Sequence, residues 1–167
     1  MSDSYLERRG EIETYFDRTA AHTWQRLTSD APVSGIRATV RAGRDRMRST
    51  LLSFLPDDLR GCRVLDAGCG TGALAVEAAK RGADVTAVDI SPTLIGIARE
   101  RVPEKLGQGR VHFMAGDMLD KKLGSFDHIV AMDSLIHYSL PDMIGMLARL
   151  SDMSRSGVHF TYAPRTP

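Results

Sequence analysis

The sequence predicts an α/β fold: a parallel sheet of about five strands with helices on both faces, preceded by an N-terminal helical segment. Three observations predict it. From residue 63 onward short apolar runs alternate with stretches of helical periodicity, as in parallel strands joined by helical crossovers. The apolar run Val64-Leu65-Asp66-Ala67 passes at once into glycines at 68, 70 and 72, the mark of a buried strand turning sharply into a helix. The first sixty residues carry two helical patterns, so the chain divides into a helical segment, residues 1–60, over an α/β core, residues 61–167.

In chain order, a helix is expected from about Tyr5 to Leu27, with Ile12, Tyr15, Phe16, Thr19, Trp24 and Leu27 near one face. After the Pro32-Val33-Ser34-Gly35 break, a second helix is expected over about 36–55, whose Ile36, Val40, Met47, Leu51 and Phe54 form a stripe to pack on the sheet. Arg37, Arg41, Arg44 and Arg48 form a second stripe about 80° around the helix from the first. That stripe either rings whatever the apolar edge buries or is a solvated face of long side chains. Strand one is read at Arg63–Ala67, followed by a helix over about 72–81 that Gly82 stops. Strand two is Asp84–Asp89, and Ser91-Pro92 supplies a capping hydroxyl and a first-turn proline for a helix to about Arg101. Strand three is expected at Val111–Ala115, strand four at Phe126–Met132, a helix from Pro141 through Leu150 and strand five at Gly157–Tyr162. With strand five an apolar edge so close to Pro167, the sheet reads as truncated at its C-terminal side.

Composition removes several classes of function. Twenty-two basic and 21 acidic residues leave a formal net charge of +1, which supplies no global field for nucleic acid. The N-terminal nine residues are too polar for a secretory signal and no apolar run is long enough to span a bilayer, so a cytoplasmic location is expected. Cys62 and Cys69 lack metal or redox spacing and read as reduced packing thiols. No His, Cys, Asp and Glu set has metal-site spacing either, so no protein-bound metal is expected.

The glycine turn admits two cofactor classes. A glycine lets the backbone take positive φ and approach a ligand closely, and the helix that follows presents free N–H groups. Gly68-x-Gly70-x-x-Ala73 formally fits the dinucleotide fingerprint. The same stretch reads as Asp66-x-Gly68-x-Gly70-x-Gly72, which resembles the first motif of class I S-adenosylmethionine-dependent methyltransferases. Asp89, seventeen positions after Gly72, suits the ribose hydroxyls in either class. Two later segments separate the classes. Val111 to Met118 resembles the methyltransferase segment whose acid, here Asp117, accepts from the adenine amino group, and Phe126 to Tyr138 resembles the segment lining the methyl-transfer site. Four motifs in order and spacing favour the methyltransferase over the dinucleotide reading. The resemblance implies a Rossmann-like core and S-adenosyl-L-methionine as cofactor, leaving as S-adenosyl-L-homocysteine. It also implies Asp66, Gly68, Gly70, Gly72, Asp89, Ile90, Asp117, Met118 and Asp133 as cofactor-binding residues.

More restrictive wording lies outside those motifs. Tyr15-Phe16-Asp17-Arg18-Thr19 with Trp24, the arginine-bearing helix, Met132 to Tyr138 and Phe160-Thr161-Tyr162-Ala163-Pro164 resemble the magnesium-protoporphyrin IX methyltransferases of (bacterio)chlorophyll synthesis. That resemblance implies methylation of a propionate carboxylate of the porphyrin to a monomethyl ester. It implies that His137 binds and orients the propionate, that Tyr15 donates a hydrogen bond to it from a lid, and that Phe16, Trp24, Arg41, Arg44 and Tyr138 bind substrate. Read from the residues alone, His137 reads first as a capped loop histidine and Tyr15 as a core aromatic, and an amphipathic helix burying its aromatics explains Phe16 and Trp24 about as well as stacking on a macrocycle. The chemistry needs no strong base, because a carboxylate of ordinary pKa, about 4, is already ionised near neutral pH. It needs in-line positioning, worth about 7–11 kcal/mol in favourable cases, and exclusion of water. The implied partners are the porphyrin itself, the magnesium chelatase that delivers it, and a membrane surface on which the protein sits peripherally. Two other readings stand beside this one: a class I methyltransferase for another small acid, phenol or quinone-like acceptor, and a cofactor-binding module without activity.

Overall fold

Strands β1 (Arg63–Ala67), β2 (Asp84–Asp89), β3 (Arg110–Ala115), β4 (Phe126–Ala131) and β5 (Ser154–Phe160) form one parallel sheet in the order β3-β2-β1-β4-β5. The computed structural model describes residues 1–164; Arg165, Thr166 and Pro167, the end of the expected core segment, lie outside the described residues. The chain lays down β1, β2 and β3 outward in one direction, then returns to the other side of β1 for β4 and β5. The reversal between β1 and β4 opens a crevice at the carboxyl ends of the strands, the place where such sheets bind ligands.

Because β1 is central, Val64, Leu65, Asp66 and Ala67 are all at most 1% exposed. One face of the sheet packs on α4 (Ala73–Lys80), α5 (Pro92–Arg101) and the end of α3 (Ile36–Ser53), through Leu51, Leu52, Leu74, Ala78, Ile95 and Phe113. The other face packs on α6 (Leu140–Met153), through Phe126, Ile129, Met146 and Leu150, and receives Tyr5 from α1 (Asp3–Thr14). Each such aliphatic or aromatic side chain taken wholly from water contributes roughly 1.5–3 kcal/mol before entropy is charged against it. The α5 start follows the sequence: Ser91 accepts from the Leu94 N–H and Pro92 sits in the first turn.

Three elements differ from expectation. The N-terminal helix is interrupted: α1 ends at Thr14, a π-helical turn spans Tyr15–Ala20, and α2 (Ala21–Leu27) follows. The apolar stripe of α3 does not pack on the sheet along its length; Ile36 is 83% exposed and Val40 and Phe54 are exposed, while Leu51 and its neighbour Leu52 are buried. The arginines set that rotation. Arg41 donates to the carbonyls of Arg26, Leu27 and Ala31, closing the end of α2, and Arg44 pairs with Asp133 beyond β4, so the Arg41–Arg44 side of α3 faces inward and Ile36, Val40 and Phe54 are turned out. Strand β5 begins at Ser154 rather than Gly157 because the residue after α6 is already extended, at φ −105° and ψ 137°, so helix passes into strand with no loop.

Candidate functional site

At the carboxyl end of β1 the backbone turns through Gly68, Gly70 and Gly72, at φ 81°, 55° and 87°. Gly68 is the most constrained: a Cβ there would lie 2.3 Å from Cβ of Ser134, whose hydroxyl donates to the Ala67 carbonyl at 2.8 Å. Only glycine lets the β1 and β4 exits approach so closely.

Four carboxylates lie at or just past the carboxyl ends of the first four strands: Asp66 within β1, Asp89 ending β2, and Asp117 and Asp133 beyond β3 and β4. Asp66 is 1% exposed and its Oδ2 has no hydrogen-bond partner. Burial, with the Asp89 charge adding, pushes its pKa up from the ordinary 3.8 to about 7. A buried carboxylate left short of a partner costs free energy that a cationic ligand group would recover. Asp89 accepts from the Gly70 N–H at 2.8 Å and the Ser91 N–H at 2.9 Å; burial still raises its pKa, against those bonds. Asp117 accepts from the Tyr5 hydroxyl and Arg9 Nη1, both at 2.7 Å, and from the Leu119 N–H at 2.9 Å. Asp133, held at φ 55°, donates its N–H to Thr161 Oγ1 at 2.7 Å and takes the Arg44 guanidinium on its carboxylate. That guanidinium lies 4.4 Å from the centre of the Trp24 ring, a cation–π contact that ties α2 and α3 to the β4 exit.

Facing the carboxylates is an aromatic wall. Phe16 meets Tyr15 at 5.1 Å, Trp24 at 5.8 Å and His137 at 5.4 Å, all edge to face. The π-helical turn lets Tyr15, Phe16 and Trp24 all line the site, and Asp17 in that turn accepts from Ser91 Oγ at 3.1 Å and the Thr93 N–H at 2.9 Å, seating it on the α5 N-terminus. His137 ends a short 3₁₀ turn, Leu135–His137; burial lowers its pKa, the Arg8 charge adds to this, and Asp133 opposes it. These groups enclose one cavity of about 820 Å³, running from Asp66, Ile90 and Met118 to Arg44 and Arg48. Pockets of about 300–1,000 Å³ accommodate cofactor-sized ligands.

The core of the chain, residues 64–157, matches the family model described as "Methyltransferase domain". The whole chain is 57% identical over 167 residues to the magnesium-protoporphyrin O-methyltransferase of Rhodobacter capsulatus, covering 99% of this chain and 74% of that protein. The chain belongs to the magnesium-protoporphyrin O-methyltransferase family. It is 30% identical over 169 residues to the family member from Synechocystis sp. PCC 6803, covering 99% of this chain and 73% of that protein. The crystal structure of the Synechocystis magnesium protoporphyrin IX methyltransferase with bound SAH superposes with a TM-score of 0.87 at 29% identity, over 95% of this chain and 74% of that one. The fold is thus the Rossmann-like class I methyltransferase fold, with the N-terminal helices in addition.

Within this family member, every residue expected to touch cofactor except Gly72 lines the cavity; Gly72 lies behind it, where a Cβ would meet the Phe113 ring at 2.7 Å. Tyr15, Phe16, Trp24, Arg44, His137 and Tyr138 line it as well. Arg41 reaches the cavity edge, but its guanidinium is engaged by the three carbonyls that end α2 and follow it, so its position there is that of a cap. Arg37 of the basic stripe lies apart, in a side groove with Ile36 and Val40. Sequence pattern signals no role for Tyr5, Arg8, Arg9 or Asp17, although each contacts a site residue or the loop beside one. Their partners lie 74 to 129 residues away, and no local spacing signals such pairs. Among the described residues no group of three or more His, Cys, Asp or Glu is placed to hold a metal ion, and no helix is long and apolar enough to cross a membrane.

Proposed function

We propose that this chain transfers the methyl group of S-adenosylmethionine to a propionate carboxylate of magnesium-protoporphyrin IX, giving the monomethyl ester. The observation that carries the reading is a single cavity with the unpartnered Asp66 carboxylate at one end and the Phe16–Trp24–His137 wall at the other. The bound cofactor supplies an electrophilic methyl on a sulfonium. Asp66 would take the ammonium of its amino-acid portion, Asp89 would accept from the ribose hydroxyls, and Asp117 has acceptor capacity left for the adenine amino group between Ile90 and Met118. The glycine turn allows backbone to lie against the cofactor.

On the acceptor side, Phe16 and Trp24 offer flat apolar surface for a macrocycle, with Arg44 and Tyr138 beside them, and exclude water from the reacting carboxylate. His137 orients that carboxylate. Its lowered pKa leaves the imidazole neutral near pH 7, with one nitrogen to donate and one to accept, so it can also remove the proton of a propionic acid that arrives un-ionised. Tyr15, on the same wall, donates a second hydrogen bond. In this reading residues 1–60 act as lid and acceptor site over a cofactor-binding core of residues 61–167. A cytoplasmic protein that meets the magnesium chelatase and rests peripherally on a membrane fits so apolar a substrate.

A single-turnover reaction with methyl-labelled S-adenosylmethionine and magnesium-protoporphyrin IX tests the function. Labelled monomethyl ester is the expected product. Cofactor binding with no label in the porphyrin would overturn the acceptor and leave the fold and cofactor in place.

A further inference from the structure

Helix α1 touches two separate parts of the site. Tyr5 and Arg9 reach Asp117, the hydroxyl and the guanidinium each at 2.7 Å from a different carboxylate oxygen. Arg8, about 100° around the helix from Arg9, points elsewhere: its Nε donates to the carbonyl of His137 at 2.8 Å. The Tyr5 ring meanwhile stacks on Tyr138, centroids 5.2 Å apart, beside that histidine. The start of the helix is tied down independently, with the hydroxyls of Ser2 and Ser4 donating to Asp142 of α6. Tyr5 is 1% exposed although it is the fifth residue of the chain.

We propose that α1 is a strut that registers the His137–Tyr138 segment against the adenosine end of the site, with Arg8 as the positioning residue of His137 and Tyr5 and Arg9 as the anchors holding the strut to Asp117. This rests on the reading of His137 and Asp117 given above. His137 ends a three-residue turn, and such a turn does not by itself satisfy its last carbonyl; the Arg8 bond does so and fixes the backbone that carries the imidazole. Arg8 is itself held, its Nη1 lying 2.7 Å from Glu11 one turn along the helix. The groups facing the imidazole are Arg8 from α1, Asp133 from the β4 exit and the edge-on Phe16 ring from the π-helical turn. Asp133 is engaged by Arg44, and Arg8, although paired with Glu11, acts on the imidazole in the direction that lowers its pKa, against Asp133.

The test is the NMR titration of the His137 imidazole in the cofactor-free full chain, its signal among the five histidines assigned by its loss in His137→Gln. Arg8→Ala is expected to move the His137 midpoint upward, toward the ordinary histidine value, while Arg8→Lys, which keeps the charge, stays nearer the parent. The double variant Tyr5→Phe with Arg9→Ala is expected to shift it upward too, although neither side chain bonds to His137; if that protein does not fold, Arg9→Ala alone carries the same expectation. In turnover, Arg8→Ala should lower kcat by about tenfold, with the cofactor Kd unchanged. A His137 midpoint unmoved by Arg8→Ala overturns the role of Arg8, and one unmoved by the anchor variants overturns the strut. Undiminished methyl transfer by His137→Gln would instead refute the catalytic reading of His137, a failure distinguishable from either.

Discussion

Asp66 offers the sharpest test of the cofactor site, because its carboxyl sits wholly buried with one oxygen unpartnered. Its pKa rises from 3.8 in an ordinary environment to about 7 in the folded protein. Between those values the native state holds a proton that the unfolded state has lost, so stability falls as pH rises and levels off above 7. At about 1.4 kcal/mol per tenfold change, the full effect is on the order of 4 kcal/mol, of which roughly 3 kcal/mol falls between pH 5 and pH 8. Asp89, also raised by burial, acts with the same sign. Asp66→Asn removes the first contribution and leaves the second. In urea titrations of the cofactor-free protein, the parent midpoint should therefore drop between pH 5 and pH 8 by about 1 M more than that of the variant, taking a slope of about 2 kcal/mol per molar. The ionised carboxylate is also the form that receives an ammonium, so the parent's affinity for S-adenosylhomocysteine should rise as pH passes through 7, and the variant's should be weak throughout. Parallel urea midpoints across this range would refute the assignment of a strained, site-forming carboxyl to Asp66.

Gly68→Ala forces a side chain into positive φ and against Ser134, and is expected to lower the melting free energy by about 2 kcal/mol or more and to abolish S-adenosylhomocysteine binding in calorimetry. Arg44→Ala breaks both the Asp133 ion pair and the stack on Trp24; porphyrin kcat/KM should fall by about tenfold or more, while Kd for S-adenosylhomocysteine changes less than about threefold. Trp24 is the one tryptophan in the chain and stands in the cavity wall, so its emission should be quenched on titrating magnesium-protoporphyrin IX; an unchanged spectrum at saturating porphyrin would place the macrocycle elsewhere.

What could be read from the sequence was what short range decides. The β1 turn was legible because the strand, the acid and the glycines lie within ten residues, and the α5 start because Ser91 and Pro92 are adjacent. The cavity-facing side of the N-terminal helices was legible from period alone, since Ile12, Tyr15, Phe16, Thr19, Trp24 and Leu27 all line it. The rotation of α3 was not: periodicity favours burying Ile36 and Val40, but the partner that turns Arg44 inward is Asp133, 89 residues along the chain. The start of β5 was missed by three residues because Ser154 and Arg155 look like a loop, while Ser154 hydrogen-bonds both the N–H and the carbonyl of Gly157 and is extended already. Tyr5 was passed over because a single aromatic among polar neighbours carries no period, and its burial is created by Asp117 and Tyr138.

The π-helical turn at Tyr15–Ala20 works as an arithmetic device. Widening one turn of helix by a residue changes the angular phase between the helices on either side by about 100°. Upstream, that phase points Tyr5 and Arg9 at Asp117; downstream, it points Trp24 at Arg44. Removing a single residue from this turn would restore ordinary α-helix, the locally easier conformation, yet would set the two halves out of step, so that only one of them could dock. The segment is in this sense a vernier, in which one residue of extra length aligns two distant scales.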